Sequence, residues 1–406
     1  MKTNKIVSYA LAGAMLATTT LVPGAVRAQD PEVIRIYSSL PLTGSSAAQT
    51  TTVVNAINLA IEQKTKGGLV CDGKFKIDFK SLDDATAAKG QWDEAKEQEN
   101  ANIAVSDPDT MVYIGTFNSG AAKISIPILN KAGLAMISPA NTNVGLTKKF
   151  NPGEPEKYYP SGKRNYMRVV TADDVQGSVG AKWAKSLGVK SVYILDDTQV
   201  YGKGLADVFE ATAKTIGLNV LGRDGIDGKA ADYKALATKI KSTNPQAIYF
   251  GGITQQNAGQ LLKDIRAAGI KSIFMGADGI LEQAFIEAAG ADIANGVLAT
   301  IAGTPKAKLP AVGKKFYSDY KAKYKGEPES YAIYGYEAAS VTLTAISKVC
   351  KKDRAAILDA MFATKNYKGV LGTWSFTESG DTSLTGMTGN RIVKGKWVET
   401  GALTFK

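Results

Sequence analysis

The chain has 406 residues, enough for two domains, with 49 lysines and arginines against 38 aspartates and glutamates, two cysteines and no histidine. The missing histidine excludes Ser-His-Asp and Cys-His catalysis and speaks against a zinc centre, so neither metal nor cofactor is expected. The net charge of +11 recurs along predicted helices such as KALATKIKST and KKFYSDYKAKYK, the pattern of solvated faces rather than of a nucleic-acid stripe.

Lys2 and Lys5 precede an apolar run from Ile6 to Val22, and Val26-Arg27-Ala28 offers small residues before polar Gln29-Asp30. This predicts a signal peptide over residues 1–28, cut after Ala28. The other reading, a membrane anchor, must contend with Ser8, three threonines and a run short for a stable span. No cysteine stands at the cut to carry a lipid, and no later segment is apolar enough to cross a bilayer. The expected location is periplasmic, which also speaks against a nucleic-acid partner.

From Val33 the pattern alternates. VIRIYSSL reads as a strand and TTVVNAINLAIEQ as a helix; KFKIDFKSL is a strand and AAKGQWDEAKEQENANIAV a helix. MVYIGTF, KISIPILNKAG and LAMIS continue the series. Such alternation predicts parallel strands with crossover helices, a doubly wound α/β domain. Residues 148–165, KKFNPGEPEKYYPSGKRN, interrupt it with three prolines and two glycines and read as surface decoration. The alternation then restarts with NYMRVVT as a strand and runs through SVYILDD, AIYFGG, SIFMGADG and NGVLATI, a second α/β domain. The last hundred residues are mainly helical and end in TWSFTESGD and RIVKGKWVE, read as a closing pair of strands. So short a tail must complete one of the lobes, and the chain therefore crosses between them more than once.

In parallel α/β sheets, ligands bind beyond the carboxyl ends of the strands. Those positions here hold Thr43-Gly44-Ser45-Ser46, Asn118-Ser119-Gly120, Ser138-Pro139-Ala140-Asn141-Thr142, Thr198-Gln199-Val200-Tyr201-Gly202, Gly251-Gly252-Ile253-Thr254-Gln255 and Ala277-Asp278-Gly279. Hydroxyls and helix-start N–H groups can hold a carboxylate without any basic residue, and Asp278 can hold an ammonium. Together they describe a site for a small zwitterion. Each loop taken alone is equally an ordinary turn or cap, and Asp196 and Asp197 read as caps of the helix that follows them. Gly202-Lys203-Gly204 lacks the third glycine of a dinucleotide loop, because Asp207 stands there. Cys71 and Cys350 are open to two readings, a disulfide or two buried thiols.

IRIYSSLPLTGSS, SLDDAT, IPILNKAGLAMISPANTN, VYILDDTQVYGKGLA, FMGADG, YAIYGYEAA and TWSFTESGD, in that order behind an export signal, resemble the type I periplasmic binding proteins of ABC importers. The resemblance is specifically to the branched-chain amino-acid receptors. It spans essentially the whole chain beyond the leader. It implies two Rossmann-like lobes joined by a three-crossing hinge. Lobe 1 would be 29–165, completed by about 303–370, and lobe 2 would be 166–302, completed by about 371–406. It implies a monomeric receptor that passes its ligand to a membrane permease and performs no chemistry. It assigns the ligand's carboxylate to Ser119, both carboxylate and ammonium to Ala140 through its backbone and to Thr142, the cleft tyrosine to Tyr201 and the ammonium to Asp278. Asn118 and Thr254 join the expected site. There are two departures from the family pattern: Gln49 lies where a tyrosine is common, and Ile253 replaces an aromatic. The zwitterion end therefore reads as kept and the side-chain end as altered, with leucine, isoleucine or valine as the default cargo and amides, urea or aromatic acids as alternatives. Both cysteines fall in the first lobe of this layout, which favours the disulfide. A signalling receptor of the same fold is the competing function. An enzyme is disfavoured by the missing histidine and the missing phosphate loop.

Overall fold

The structure, a computed structural model, describes residues 1–3, 5 and 30–405. The predicted cleavage site and nearly all of the predicted leader lie outside these residues. Two separate sheets organise the rest. The first has six strands in the order Leu69–Val70, Phe75–Asp83, Glu32–Leu40, Thr110–Gly115, Ala135–Ser138 and Tyr166–Arg168. All of its pairings are parallel except that of the short Leu69–Val70 edge. The second has seven, in the order Asn219–Gly225, Ser191–Asp196, Ala247–Gly251, Ile273–Gly276, Leu298–Ala302, Met387–Val393 and Lys396–Ala402. Its last two strands run antiparallel and close the edge. The central strands, Thr110–Gly115 and Ala247–Gly251, are buried along their whole length. That is the mark of a parallel sheet covered by helices on both faces, and it explains why they read as unbroken apolar runs. In both sheets the chain starts at an inner strand, adds one side first (two strands in the first sheet, one in the second) and then builds outward on the other. Each sheet therefore has a topological switch point at its carboxyl edge. This is the expected architecture, two Rossmann-like doubly wound lobes.

The chain passes between lobes three times, at 169–172, 303–310 and 375–386. On the second pass it returns to pack helix Ala332–Val349 against helix Ala47–Lys64 of the first lobe. The crossings are hydrogen-bonded to one another: Arg168 N donates to Gly380 O (3.0 Å), Thr171 Oγ1 to Leu384 O (2.9 Å) and Gly303 N to Gly386 O (2.7 Å). A disulfide joins Cys71 to Cys350, with Cα atoms 5.7 Å apart, and ties the end of that returning helix to the early strands. Among the described residues no helix is long and apolar enough to cross a membrane, and no group of three or more ligating side chains could hold a metal.

Four readings of the sequence need correction. Tyr166–Arg168 pairs with Ala135–Ser138 in the first sheet rather than opening the second. Of TWSFTESGD only Thr373 and Trp374 are in a strand, Gly372–Trp374, which pairs with Tyr367–Gly369 in a small hairpin; the closing pair is Met387–Val393 with Lys396–Ala402, starting before RIVKGKWVE and ending beyond it. The helix expected from Ala87 starts at Glu94, because Asp93 accepts a hydrogen bond from Lys96 N at 3.1 Å and caps it there. The proline-rich excursion is not decoration: Tyr158 and Tyr159 are buried, and Tyr159 Oη donates to Leu146 O (2.6 Å). Glu154, beside them, accepts from Lys123 Nζ (2.9 Å) and Tyr158 Oη (2.7 Å). Burial pushes its carboxyl up, but the ammonium and the hydroxyl outweigh that and hold it at about 2.

Candidate functional site

The carboxyl edges of the two sheets face each other across a narrow cleft of about 30 Å³. Eight of the nine predicted residues line it: Gln49, Asn118, Ser119, Ala140, Thr142, Tyr201, Ile253 and Asp278. Thr254 does not line it, and its hydroxyl faces Gly279 O at 3.4 Å. Among the described residues no lysine or arginine lines the cleft.

The first lobe supplies hydroxyls and a helix start. Helix Ser119–Lys131 begins at the cleft with no acidic residue in its first turn, so its unpaired N–H groups and dipole leave a weakly positive end there. Ser119 Oγ accepts from Asn143 N at 3.3 Å. In the SPANTN turn most polar groups face inward and hold the loop. Ser138 Oγ donates to Thr116 O (2.8 Å) and accepts from Ala140 N (3.0 Å) and Asn141 N (2.8 Å). Asn141 is bonded to Phe117 O (2.9 Å) and Tyr166 Oη (3.2 Å). Asn143 Nδ2 reaches across to Val200 O (2.9 Å) in the second lobe. Only Ala140 and Thr142 of this turn line the cleft, and the Ala140 N–H assigned to a carboxylate is engaged by Ser138.

The turn is fixed from below by Arg168, which sequence reading missed. It is 0 % exposed and donates to Asn141 O (3.2 Å), Asn143 O (2.8 Å), Thr147 Oγ1 (2.5 Å) and Asp381 Oδ1 (2.7 Å). A charged residue at the end of a three-residue strand gives no local sign that it will be buried.

The second lobe supplies the acid. Asp278 follows strand Ile273–Gly276 and is buried. Its Oδ1 accepts from Gln176 Nε2 (2.5 Å) and Tyr201 Oη (3.1 Å), and its Oδ2 from Tyr331 Oη (2.5 Å). Burial raises its pKa, against the pull of these three donors. Fully buried Asp173 is raised well above the ordinary range by burial and by the charge of Asp278. Asp278 lines the cleft and has no basic partner, so it can take a cation; Asp173 does not line the cleft and feels the charge of Arg168. Neither Asp196 nor Asp197 caps the next helix as expected: helix Val200–Thr215 starts after Gln199 with no side-chain cap bond, and the two acids brace the turn before it, Asp196 accepting from Thr198 N (2.9 Å) and Asp197 from Gln199 N (3.0 Å) and Ile253 N (3.0 Å).

Tyr331 precedes the helix that packs on the first lobe and stacks edge-on against Phe117, 5.2 Å between centroids. Its bond to Asp278 therefore bridges the lobes, as does Gln256 Nε2 to Gln91 Oε1 (2.9 Å). Gln255 and Gly279, both in the strand-end loops read from the sequence, also line the cleft, as do Phe117, Glu282 and Tyr331, which were not predicted. Phe117 and Glu282 lie within four residues of positions that were, and a wider window at each strand end would have found them.

A sequence model described as periplasmic binding protein matches residues 33–396. A Leu/Ile/Val-binding protein of Rhizobium johnstonii is 30 % identical over 343 residues, covering 84 % of this chain and 86 % of its own. The crystal structure of a leucine-binding protein from Thermotoga maritima superposes with a TM-score of 0.80 at 26 % identity, over 91 % of this chain and 99 % of that one. A branched-chain amino acid transporter substrate-binding protein from Streptococcus pneumoniae, solved with isoleucine, shares the fold with a TM-score of 0.79 at 24 % identity, over 92 % of this chain and all of that one.

Proposed function

The chain belongs to the periplasmic binding protein family, and from that premise we propose that it is an extracytoplasmic receptor that closes two lobes over a small amino acid and delivers it to an ABC permease. The observation that carries this reading is the buried Asp278, without a basic partner, in a cleft whose other lobe offers Ser119, Thr142 and a helix N-terminus. An α-ammonium at Asp278 and an α-carboxylate at the helix start would complete both halves. Such a ligand touches both lobes only when they are closed, so its binding free energy favours that form.

In this reading the protein is an exported monomer, cut after Ala28, and it performs no chemistry on its cargo. Its first lobe runs from 29 to about 168 and is completed by the helices of 303–370. The second runs from about 173 to 302 and is completed by the strands after 386.

A thermal-shift screen against amino acids, followed by calorimetry on Asp278→Asn, tests this. A ligand that binds only the folded state raises the melting temperature. The substitution should then weaken the hit by roughly 3 to 5 kcal/mol, because it leaves a buried ammonium unpaired. Unchanged affinity in the variant would remove Asp278 from the role.

A further inference from the structure

The residues assigned to the zwitterion are only part of the cleft lining. Gln49, in the first turn of helix Ala47–Lys64, is 4 % exposed, and its Nε2 is buried with no hydrogen-bond partner among the described residues. Asn118 caps nothing with its side chain, and its Oδ1 is likewise buried and unpartnered. Across from them Glu282 is 6 % exposed, with Oε1 accepting from Gln255 Nε2 at 2.9 Å. All four residues line the same cleft, alongside the apolar walls of Phe117, Ile253 and Tyr331.

An aliphatic side chain would leave the Gln49 donor and the Asn118 acceptor desolvated and unpaired. A site built to hydrogen-bond its ligand rejects the analogue that lacks the partner group far more strongly than an apolar pocket rejects a missing methylene. The two orphans ask for opposite things. Gln49 Nε2 needs an acceptor; Asn118 Oδ1 and the Glu282 carboxyl need a donor. An ammonium or guanidinium supplies donors alone and would face the Gln49 N–H groups with more N–H. A carboxamide or a hydroxyl supplies both. Burial also holds the Glu282 carboxyl up at about 7, so this end of the cleft imposes no full negative charge that would demand a cationic side chain.

We propose that the cargo is an α-amino acid with a neutral donor–acceptor side chain, a carboxamide or hydroxyl, and that Gln49, Asn118 and Glu282 select it over aliphatic amino acids. This rests on the preceding reading that the cleft holds an amino-acid zwitterion.

The test is calorimetric titration of the protein with glutamine, asparagine, threonine and serine, against leucine, valine and lysine. The expected result is that at least one of the first four binds tenfold or more tightly than leucine and valine, and more tightly than lysine. In Gln49→Leu and, independently, Glu282→Leu, the preference over leucine should shrink by tenfold or more; either variant suffices if the other fails to fold. Leucine or valine binding as tightly as every polar amino acid, lysine binding tightest, or an unchanged preference in the folded variants would overturn the proposal while leaving the zwitterion reading in place. Binding of none of the seven would overturn both.

Discussion

Asp278 receives hydrogen bonds from Gln176, Tyr201 and Tyr331 but no salt bridge, so its charge is solvated by neutral donors and left available. Glu97 shows the same burial put to a structural use. It lies wholly inside the first lobe, accepting from Ser39 Oγ (2.6 Å) and Tyr113 Oη (3.0 Å). Burial pushes its carboxyl up to about 8. The folded protein therefore binds a proton there that the unfolded chain, with an ordinary glutamate pKa, has already released. Stability contributed at low pH is lost as pH rises from about 4.5 to about 8. Glu97→Gln keeps the shape without the charge. Its melting temperature should exceed that of the parent at pH 9 and fall less between pH 6 and pH 9, a difference of a few kcal/mol in chemical denaturation. Parallel profiles for the two proteins would show that Glu97 does not titrate in this range.

At the scale of elements, the SPANTN turn and the hinge form one unit. Arg168 ends the last strand of the first sheet, holds two carbonyls of the turn and pairs with Asp381 on the third crossing. Replacing it with methionine leaves buried Asp381 with Lys148, at 3.3 Å, as its remaining cationic partner. We expect Arg168→Met to cost about 3 to 5 kcal/mol in urea unfolding, and Arg168→Met with Asp381→Leu to recover much of that loss. A single variant as stable as the parent would mean that the pair contributes nothing net. The strands and helices of both lobes were legible because burial on both faces writes unbroken apolar runs into the sequence, as in Met111–Ile114 and Ala247–Phe250. The strand-end loops were legible because turn chemistry marks where those runs stop. What could not be read was which polar side chain of a loop turns inward. Asn141 and Asn143 look in sequence like Thr142, and only the carbonyls around them decide that they brace the loop. Tyr331 was hidden for another reason. It arrives at the cleft from more than fifty residues beyond Asp278, through a hinge crossing that no local pattern records.

For the whole molecule, the bridges Tyr331–Asp278, Gln256–Gln91 and Asn143–Val200 join the lobes across the cleft. On the hinge side, the three crossings are hydrogen-bonded to one another. In the proposed function, affinity would come from a ligand that satisfies both lobes at once, with an anion at the start of helix Ser119–Lys131 and a cation at Asp278. The disulfide stabilises one lobe internally and does not span the cleft, so it stands outside this mechanism. The most direct measurement is calorimetric titration with the tightest-binding amino acid, its methyl ester and its counterpart lacking the α-amino group. Loss of either charged end should weaken binding by roughly a hundredfold or more, since each leaves buried partners unpaired in one lobe. Binding of the amine-free acid as tight as that of the amino acid would contradict recognition of a zwitterion between the two lobes.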